Sequence, residues 1–273
     1  MFFNAIYWSP SEGIDLGFFT LHFYSLMFVV AFTLGWFLMK KIYDREGIGV
    51  DKLDSLFIYM VLAILIGARL GHVIFYDWDY FQNHLLEIFL PVRFEPEFKF
   101  TGFRGLASHG AAIAVIIAMF LYIKNVLPKK SVLWVLDRIV MPVASGGVFV
   151  RIGNFFNSEI VGEPTGSNYG VIFANLGENF ARHPAQLYES FCYLIIFFIL
   201  WHTYWKTEKG EKQGYLFGLF LVLVWSARFI IEFIKEPQVG ERADWFLNTG
   251  QLLSLPFIIA GFYFMFRNSS KKA

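Results

Sequence analysis

Residues 214–234 read GYLFGLFLVLVWSARFIIEFI, and only Arg228 and Glu232 among them carry charge. The hydrocarbon core of a bilayer is about 30 Å thick and takes about 20 residues of α-helix to cross, so this stretch has the length and polarity of a membrane span. It must be helical, because a backbone immersed in hydrocarbon has to pair its own N–H and C=O groups. Outward from it, comparable apolar stretches occur near residues 21–39, 56–75, 105–123, 131–150, 190–205 and 250–266. The reading is an all-α integral membrane protein of seven transmembrane helices, with residues 1–273 forming one polytopic membrane domain. No internal repeat or low-complexity tract interrupts it.

The composition agrees. Of the 273 residues 56% are hydrophobic and 16% charged, against about 25% charged in soluble proteins. Mean hydropathy is +0.51. The 34 Phe and 8 Trp suit lipid-facing helices ringed by interfacial side chains. A formal net charge of +1 argues against nucleic acid as a partner. The opening residues MFFNAIYWSP lack the basic region, apolar run and cleavage site of a secretory signal peptide, so the first membrane helix is expected to direct insertion. The single cysteine, Cys192, lies in an apolar helix and reads as a buried thiol rather than a nucleophile or ligand.

Positive residues accumulate in cytoplasmic loops. One alternate set of loops carries thirteen Lys and Arg and the other seven, which places the N-terminus outside and the C-terminus in the cytoplasm. Arg69, Arg138 and Arg228 fall within the spans themselves. An ionisable side chain at the centre of a spanning helix costs about 2.5–3.5 kcal/mol on insertion scales, so each is a candidate for function.

With this topology Tyr24, Arg69, Tyr76, His109, Arg151, Arg228 and Glu232 all fall toward the outer ends of their helices. The outer segment 151–189, a candidate cap over the site, returns the chain at His183, Tyr188 and Glu189. Each residue also has a plainer reading. Arg228 and Glu232, four apart, can neutralise each other on one helix face; Tyr24 and Tyr76 can be interfacial anchors; His183 can be an ordinary loop imidazole. His109 sits among small residues in SHGAA (108–112), which permits either close helix packing or ligand approach. Asp137 and Arg138 lie toward the inner half of their helix, where a structural hydrogen bond or ion pair suits Asp137 and snorkelling suits Arg138.

Arginines, an imidazole, carboxamides and tyrosines suit an anionic amphiphile, since guanidinium forks bind phosphate bidentately. No metal-ligand spacing and no Gly-x-Ser-x-Gly elbow is present, and neither metal nor cofactor is implied. The residues alone therefore point to a phosphate-bearing lipid, either bound only or also chemically altered. A lipid transporter or flippase would also carry intramembrane arginines, but inverted repeats and paired broken helices are not evident. A structural scaffold leaves the arginines and His109 unexplained.

One string goes further. RIGNFFNSEIVG (151–162) closely resembles the signature of the prolipoprotein diacylglyceryl transferase family. The resemblance continues in order through Tyr24, Leu26 and Met27, GARLG (67–71) with Tyr76, SHG (108–110), Asp137 and Pro142, HPAQLYE (183–189), RFIIEF (228–233) and GQLLSLP (250–256). It implies a bacterial inner-membrane enzyme that moves the diacylglyceryl unit of phosphatidylglycerol onto the lipobox cysteine of prolipoprotein signal peptides, releasing glycerol phosphate. Carried over, His109 and Arg228 are associated with activity. Arg151 is the main phosphatidylglycerol ligand, with Asn154, Tyr24, Glu159, Gly162 and Glu232 as further binding positions. This chain departs from the family pattern at Ala68, Ala111, Val224 and Lys235.

Overall fold

The computed structural model describes residues 5–17, 20–90, 92–94, 97–100, 105–236 and 247–267. The helices are α1 Phe23–Arg45, α2 Val50–Phe75, α3 Trp78–Phe81, α4 Ser108–Val126, α5 Val132–Phe156, α6 Ala185–Lys206, α7 Tyr215–Ile231 and α8 Thr249–Phe266. All but the four-residue α3 are long and apolar enough to cross a membrane, giving the seven expected spans. Helices α1 and α5 continue to Arg45 and Phe156, and α6 already begins at Ala185. Hydropathy marks only the lipid-immersed part of a helix, whereas backbone pairing continues until the chain is turned. Arg151 therefore lies inside α5 rather than at its boundary.

The chain divides into two compact units, one of residues Tyr43–Val132, the other of Met1–Ile42 with Leu133–Ala273. In the first, α2 and α4 meet along small residues. A Cβ on Gly71 would lie 2.6 Å from the Gly110 Cα, and one on Gly67 would lie 2.6 Å from the Gly110 carbonyl oxygen. Lipid tails are as apolar as leucine, so helices in a membrane gain from backbone contact of this kind rather than from burial of apolar area. The Tyr122 hydroxyl lies 3.1 Å from that of Tyr43 and donates to the Lys52 carbonyl at 2.9 Å, joining the end of α1 to α2 and α4. Arg69 is also accounted for structurally. Its Nε and Nη2 donate to the Ile88 and Glu87 carbonyls, each at 2.8 Å, and its guanidinium covers the Phe81 ring. The Glu87 carboxylate in turn accepts from the Tyr80 hydroxyl at 2.6 Å and the Phe94 N–H at 2.7 Å.

In the other unit, α7 and α8 cross at Gly218 and Gly261, where a Cβ on either would lie within 2.7 Å of the other's carbonyl oxygen. Two helix ends are capped by distant residues and one by its own. Asp137, fully buried on α5, accepts from the Gly214 N–H at 2.6 Å and the Phe217 N–H at 2.9 Å, so a carboxylate meets the positive end of α7. Lys212 donates to the Met265 carbonyl at the end of α8 at 2.7 Å. Asn248 and Gln251 form a reciprocal capping box at its start.

Between α5 and α6, β2 (Val171–Phe173) pairs in parallel with β1 (Ile6–Trp8). Phe155, Val161, Val171 and Phe173 form a small apolar core there, with Trp8 and Leu187 packed against it. Trp8 donates its indole N–H to the Phe155 carbonyl at 3.1 Å.

Two substitutions test this account. Gly71→Leu is expected to force α2 from α4 and to cost about 1–3 kcal/mol or more, measured as a lowered thermal midpoint in detergent. Asp137→Ala leaves two buried N–H groups unpaired and is expected to cost about 1–3 kcal/mol, while Asp137→Asn retains part of the cap.

Candidate active site

Arg151 stands on α5 one turn beyond Gly147, and Gly147 makes room for its neighbour. A Cβ there would sit 2.7 Å from the Tyr193 ring, so α6 brings Tyr193 close against α5, with the Arg151 guanidinium 6.0 Å from its centroid. The Arg151 Nε forms an ion pair with Glu189, which is only 2% exposed. Its Nη1 donates to the Asn154 carboxamide oxygen at 3.1 Å, and the Asn154 Nδ2 donates to the Glu159 carboxylate at 2.6 Å. Tyr24 of α1 completes this wall. Its hydroxyl reaches the Asn154 side chain, and its ring fills the space that a side chain on Gly153 would need.

The turn that follows α5 is strained. Ser158 and Ile160 have φ of 54° and 60°, a region costly for a residue other than glycine and most costly for a β-branched one. Glu159 between them is fixed by its backbone. Its N–H donates to the Asn154 carbonyl at 3.1 Å, and its carbonyl accepts from Gln186 Nε2 at 2.7 Å. Gly162 then passes where no side chain fits, since a Cβ would lie 2.6 Å from the His183 carbonyl oxygen and 2.8 Å from that of Ile234. Its N–H donates to the His183 carbonyl at 3.0 Å and its carbonyl accepts from the Arg182 Nη1 at 3.1 Å. Glu163 donates to the Ile234 carbonyl at 2.9 Å and Glu236 to the Val161 carbonyl at 3.2 Å, holding the chain as it leaves α7.

That clamp sets Lys235, 4% exposed, between two carboxylates: Glu189 Oε1 at 3.5 Å and Glu232 Oε2 at 3.8 Å. Burial holds the Lys235 ammonium below the usual lysine range; Glu189 and Glu232 oppose that shift, and the Arg228 and Arg151 guanidiniums add to it. Glu232 is seated over Gly250, where a Cβ would lie 2.4 Å from its carboxyl carbon.

Arg228 and Glu232, four apart in sequence, do not form the helix-face pair that their spacing allows. Helix α7 ends at Ile231, residues Glu232–Ile234 tighten into a 3₁₀ turn, and Lys235 engages the carboxylate. Among the described residues no carboxylate lies within ion-pair distance of Arg228, whose Nε is buried without a hydrogen-bond partner. Its guanidinium lies 5.7 Å from the Trp225 ring centroid.

Thus Tyr24, Arg151, Asn154, Glu159, Gly162, Glu189, Arg228 and Glu232 fall within one unit. Contacts link all of these but Arg228 into one network. His109 belongs to the other unit, in the first turn of α4, where its side chain is exposed beside the Gly110 contact with α2. His183 contacts the Tyr188 hydroxyl at 3.4 Å, and Tyr188 contacts Tyr169 at 3.1 Å. Sequence reasoning missed Lys235 as a member of the network and Tyr193 as its aromatic wall. The signal for Lys235 was its i, i+3 spacing from Glu232.

Seven apolar helices define a multi-span membrane protein, and a largely buried cluster of arginine, lysine and carboxylates is its candidate site. The family model described as prolipoprotein diacylglyceryl transferase matches residues 12–267. Proteins named phosphatidylglycerol--prolipoprotein diacylglyceryl transferase are similar over nearly their whole length. That of Tolumonas auensis is 40% identical over 260 residues, covering 95% of this chain and 96% of its own. That of Bacteroides fragilis strain ATCC 25285 is 38% identical, with 98% and 97% covered. That of Chloroherpeton thalassium is 39% identical, with 97% and 95% covered. The chain belongs to the prolipoprotein diacylglyceryl transferase family.

Glu189→Ala would leave the Arg151 and Lys235 charges buried with one partner fewer. It is expected to destabilise the fold by about 3–5 kcal/mol, read as the thermal midpoint in detergent, and Glu189→Gln by less.

Proposed function

We propose that this protein transfers the diacylglyceryl group of phosphatidylglycerol to the lipobox cysteine thiol of prolipoproteins and releases glycerol phosphate. The observation that carries this reading is Arg228: a guanidinium with a buried, unpartnered Nε, in the same unit as the anchored Arg151, suits a lipid phosphate. The relatives named for this transfer, over nearly the full chain, support the chemistry. The relatives support a bacterial cytoplasmic membrane location, and the lysine and arginine bias of the loops supports an N-terminus outside and a C-terminus inside. We assign the outer segment 151–189, whose two ends belong to α5 and α6, to a cap on the outer face.

The thiol is a poor nucleophile and must lose its proton, with a free cysteine pKa near 8.5. We assign that proton to the His109 imidazole, on its chemistry and its exposed place in α4. The thiolate attacks the glyceryl carbon bonded to the phosphate oxygen. A carbon–sulfur bond forms, the carbon–oxygen bond breaks, and the electron pair leaves on glycerol phosphate. Phosphate charge grows from one toward two negative units, and Arg151 and Arg228 stabilise it. Asn154, held between Arg151 and Glu159, fixes the direction of the Arg151 fork. Tyr24, Glu159 and Gly162 shape the wall, and Glu232 belongs to the network behind it.

The test is incubation of purified protein with a lipobox peptide in phosphatidylglycerol micelles, read by mass spectrometry against a cysteine-to-serine peptide. A gain of one diacylglyceryl unit on the cysteine peptide alone is expected; lipid movement without covalent product would replace this reading with transport. His109→Gln is expected to lower turnover about 100-fold or more. Arg151→Gln is expected to lower it about 100- to 1,000-fold. Wild-type turnover by either folded variant would remove that residue from its role.

A further inference from the structure

We infer that Lys235 is a positioning residue, which keeps Glu232 off Arg228 and so leaves that guanidinium open to the lipid phosphate. The inference rests on the proposed transfer reaction and adds to it a residue that does not touch substrate.

The geometry poses a question of partner choice. Glu232 lies four residues beyond Arg228, the spacing at which a carboxylate and a guanidinium ordinarily meet on a helix. Both groups have reason to pair, because the Arg228 Nε is buried without a partner and Glu232 is 9% exposed. They are nevertheless apart, and Glu232 faces Lys235 at 3.8 Å. Two features hold it there. Gly250 lets the start of α8 close directly over the carboxylate, and the side chain of Asn248 donates to the Glu232 carbonyl at 3.2 Å. Lys235 is itself held on its other side by Glu189, 3.5 Å away, whose carboxylate also binds Arg151.

The charge balance gives the arrangement its meaning. Arg151 and Lys235 neutralise Glu189 and Glu232 in a chain of four, and Arg228 is left as a single positive charge. A phosphodiester carries one negative charge, which pairs with the one guanidinium that this chain of four leaves over. Were Lys235 uncharged, Glu232 would lose its nearest cation and turn to Arg228, and the lipid would have to displace an internal carboxylate.

The experiment measures the KM for phosphatidylglycerol in mixed micelles, with the peptide saturating, alongside equilibrium binding of a fluorescent phosphatidylglycerol by the same proteins. Lys235→Met is expected to raise KM and Kd for the lipid about tenfold or more, the loss of about one charge-assisted hydrogen bond, with the KM for peptide unchanged. Lys235→Arg, which keeps a cation for both carboxylates, is expected to stay within about threefold of wild type in both constants. Adding Glu232→Gln to Lys235→Met removes the competing carboxylate and is expected to recover most of the loss. An unchanged lipid constant in folded Lys235→Met, or a double variant as defective as the single one, overturns the inference. Should Lys235→Met fail to fold, the double variant, which removes one charge of each sign, decides the matter: near-wild-type lipid binding supports the inference and a tenfold loss rejects it. Absence of thioether product from the wild type refutes the transfer reading instead, and the binding series still decides the role of Lys235.

Discussion

Glu189 accepts charge from two directions, from Arg151 on α5 and from Lys235 beyond α7, while itself sitting on α6 at 2% exposure. A carboxylate so deeply withdrawn from water carries a desolvation penalty of several kcal/mol, and its partners carry the same. Such groups are tolerated only when each satisfies the others, so the positions of three elements are tied together at one side chain. That interaction governs the neighbouring geometry. The Arg151 fork is fixed at its Nε end by Glu189 and at Nη1 by Asn154, leaving the guanidinium little freedom to rotate. Lys235 is drawn inward from the end of α7, and Glu232 follows it.

Bringing charged side chains this close requires helices and turns to approach more closely than ordinary side chains allow. Glycines supply the space where it is needed: Gly147 for Tyr193 beside Arg151, Gly162 for the strand-like crossing that places Lys235, and Gly250 for Glu232. The same device operates away from the cluster, at Gly71 against Gly110 and at Gly218 against Gly261. The difference lies in what is brought together. In the latter pairs backbone meets backbone and the gain is packing; around the cluster Gly147 and Gly250 admit an aromatic and a charged side chain, and Gly162 admits the backbone of two crossing segments.

The spans were legible because length and apolarity are nearly sufficient for a helix in a membrane, and all seven are present. The polar residues were legible as a set and less so as individuals. Arg69 reads from sequence as a costly intramembrane charge, yet it is satisfied by two backbone carbonyls and an aromatic face, partners that a linear pattern does not reveal. Asp137 reads as a structural hydrogen-bonder, and it is one, but its partner is the start of a helix 77 residues away. Helical spacing suggests the Arg228–Glu232 pair; the Glu232 N–H does bond to the Arg228 carbonyl as that spacing requires, but the carboxylate faces a third charge, Lys235. Periodicity places two residues one turn apart, and it does not choose between the partners their side chains can reach.

The turn from Asn157 to Ile160 shows what this arrangement costs locally. Two non-glycine residues hold positive φ on either side of Glu159, at about 1–3 kcal/mol each. Glycine at either place would relieve the strain but would also let the turn relax. The side chains present narrow the backbone to one conformation, and Gln186 locks it by donating to the Glu159 carbonyl. Glu159 is thereby delivered to Asn154 although its own side chain is exposed. An exposed carboxylate on a free turn would give a weak, screened contact; on this rigid one it orients the Asn154 carboxamide, and through it the Arg151 fork. Strain in the turn is thus converted into direction at the guanidinium, as the proposed stabilisation of charge on one departing oxygen requires.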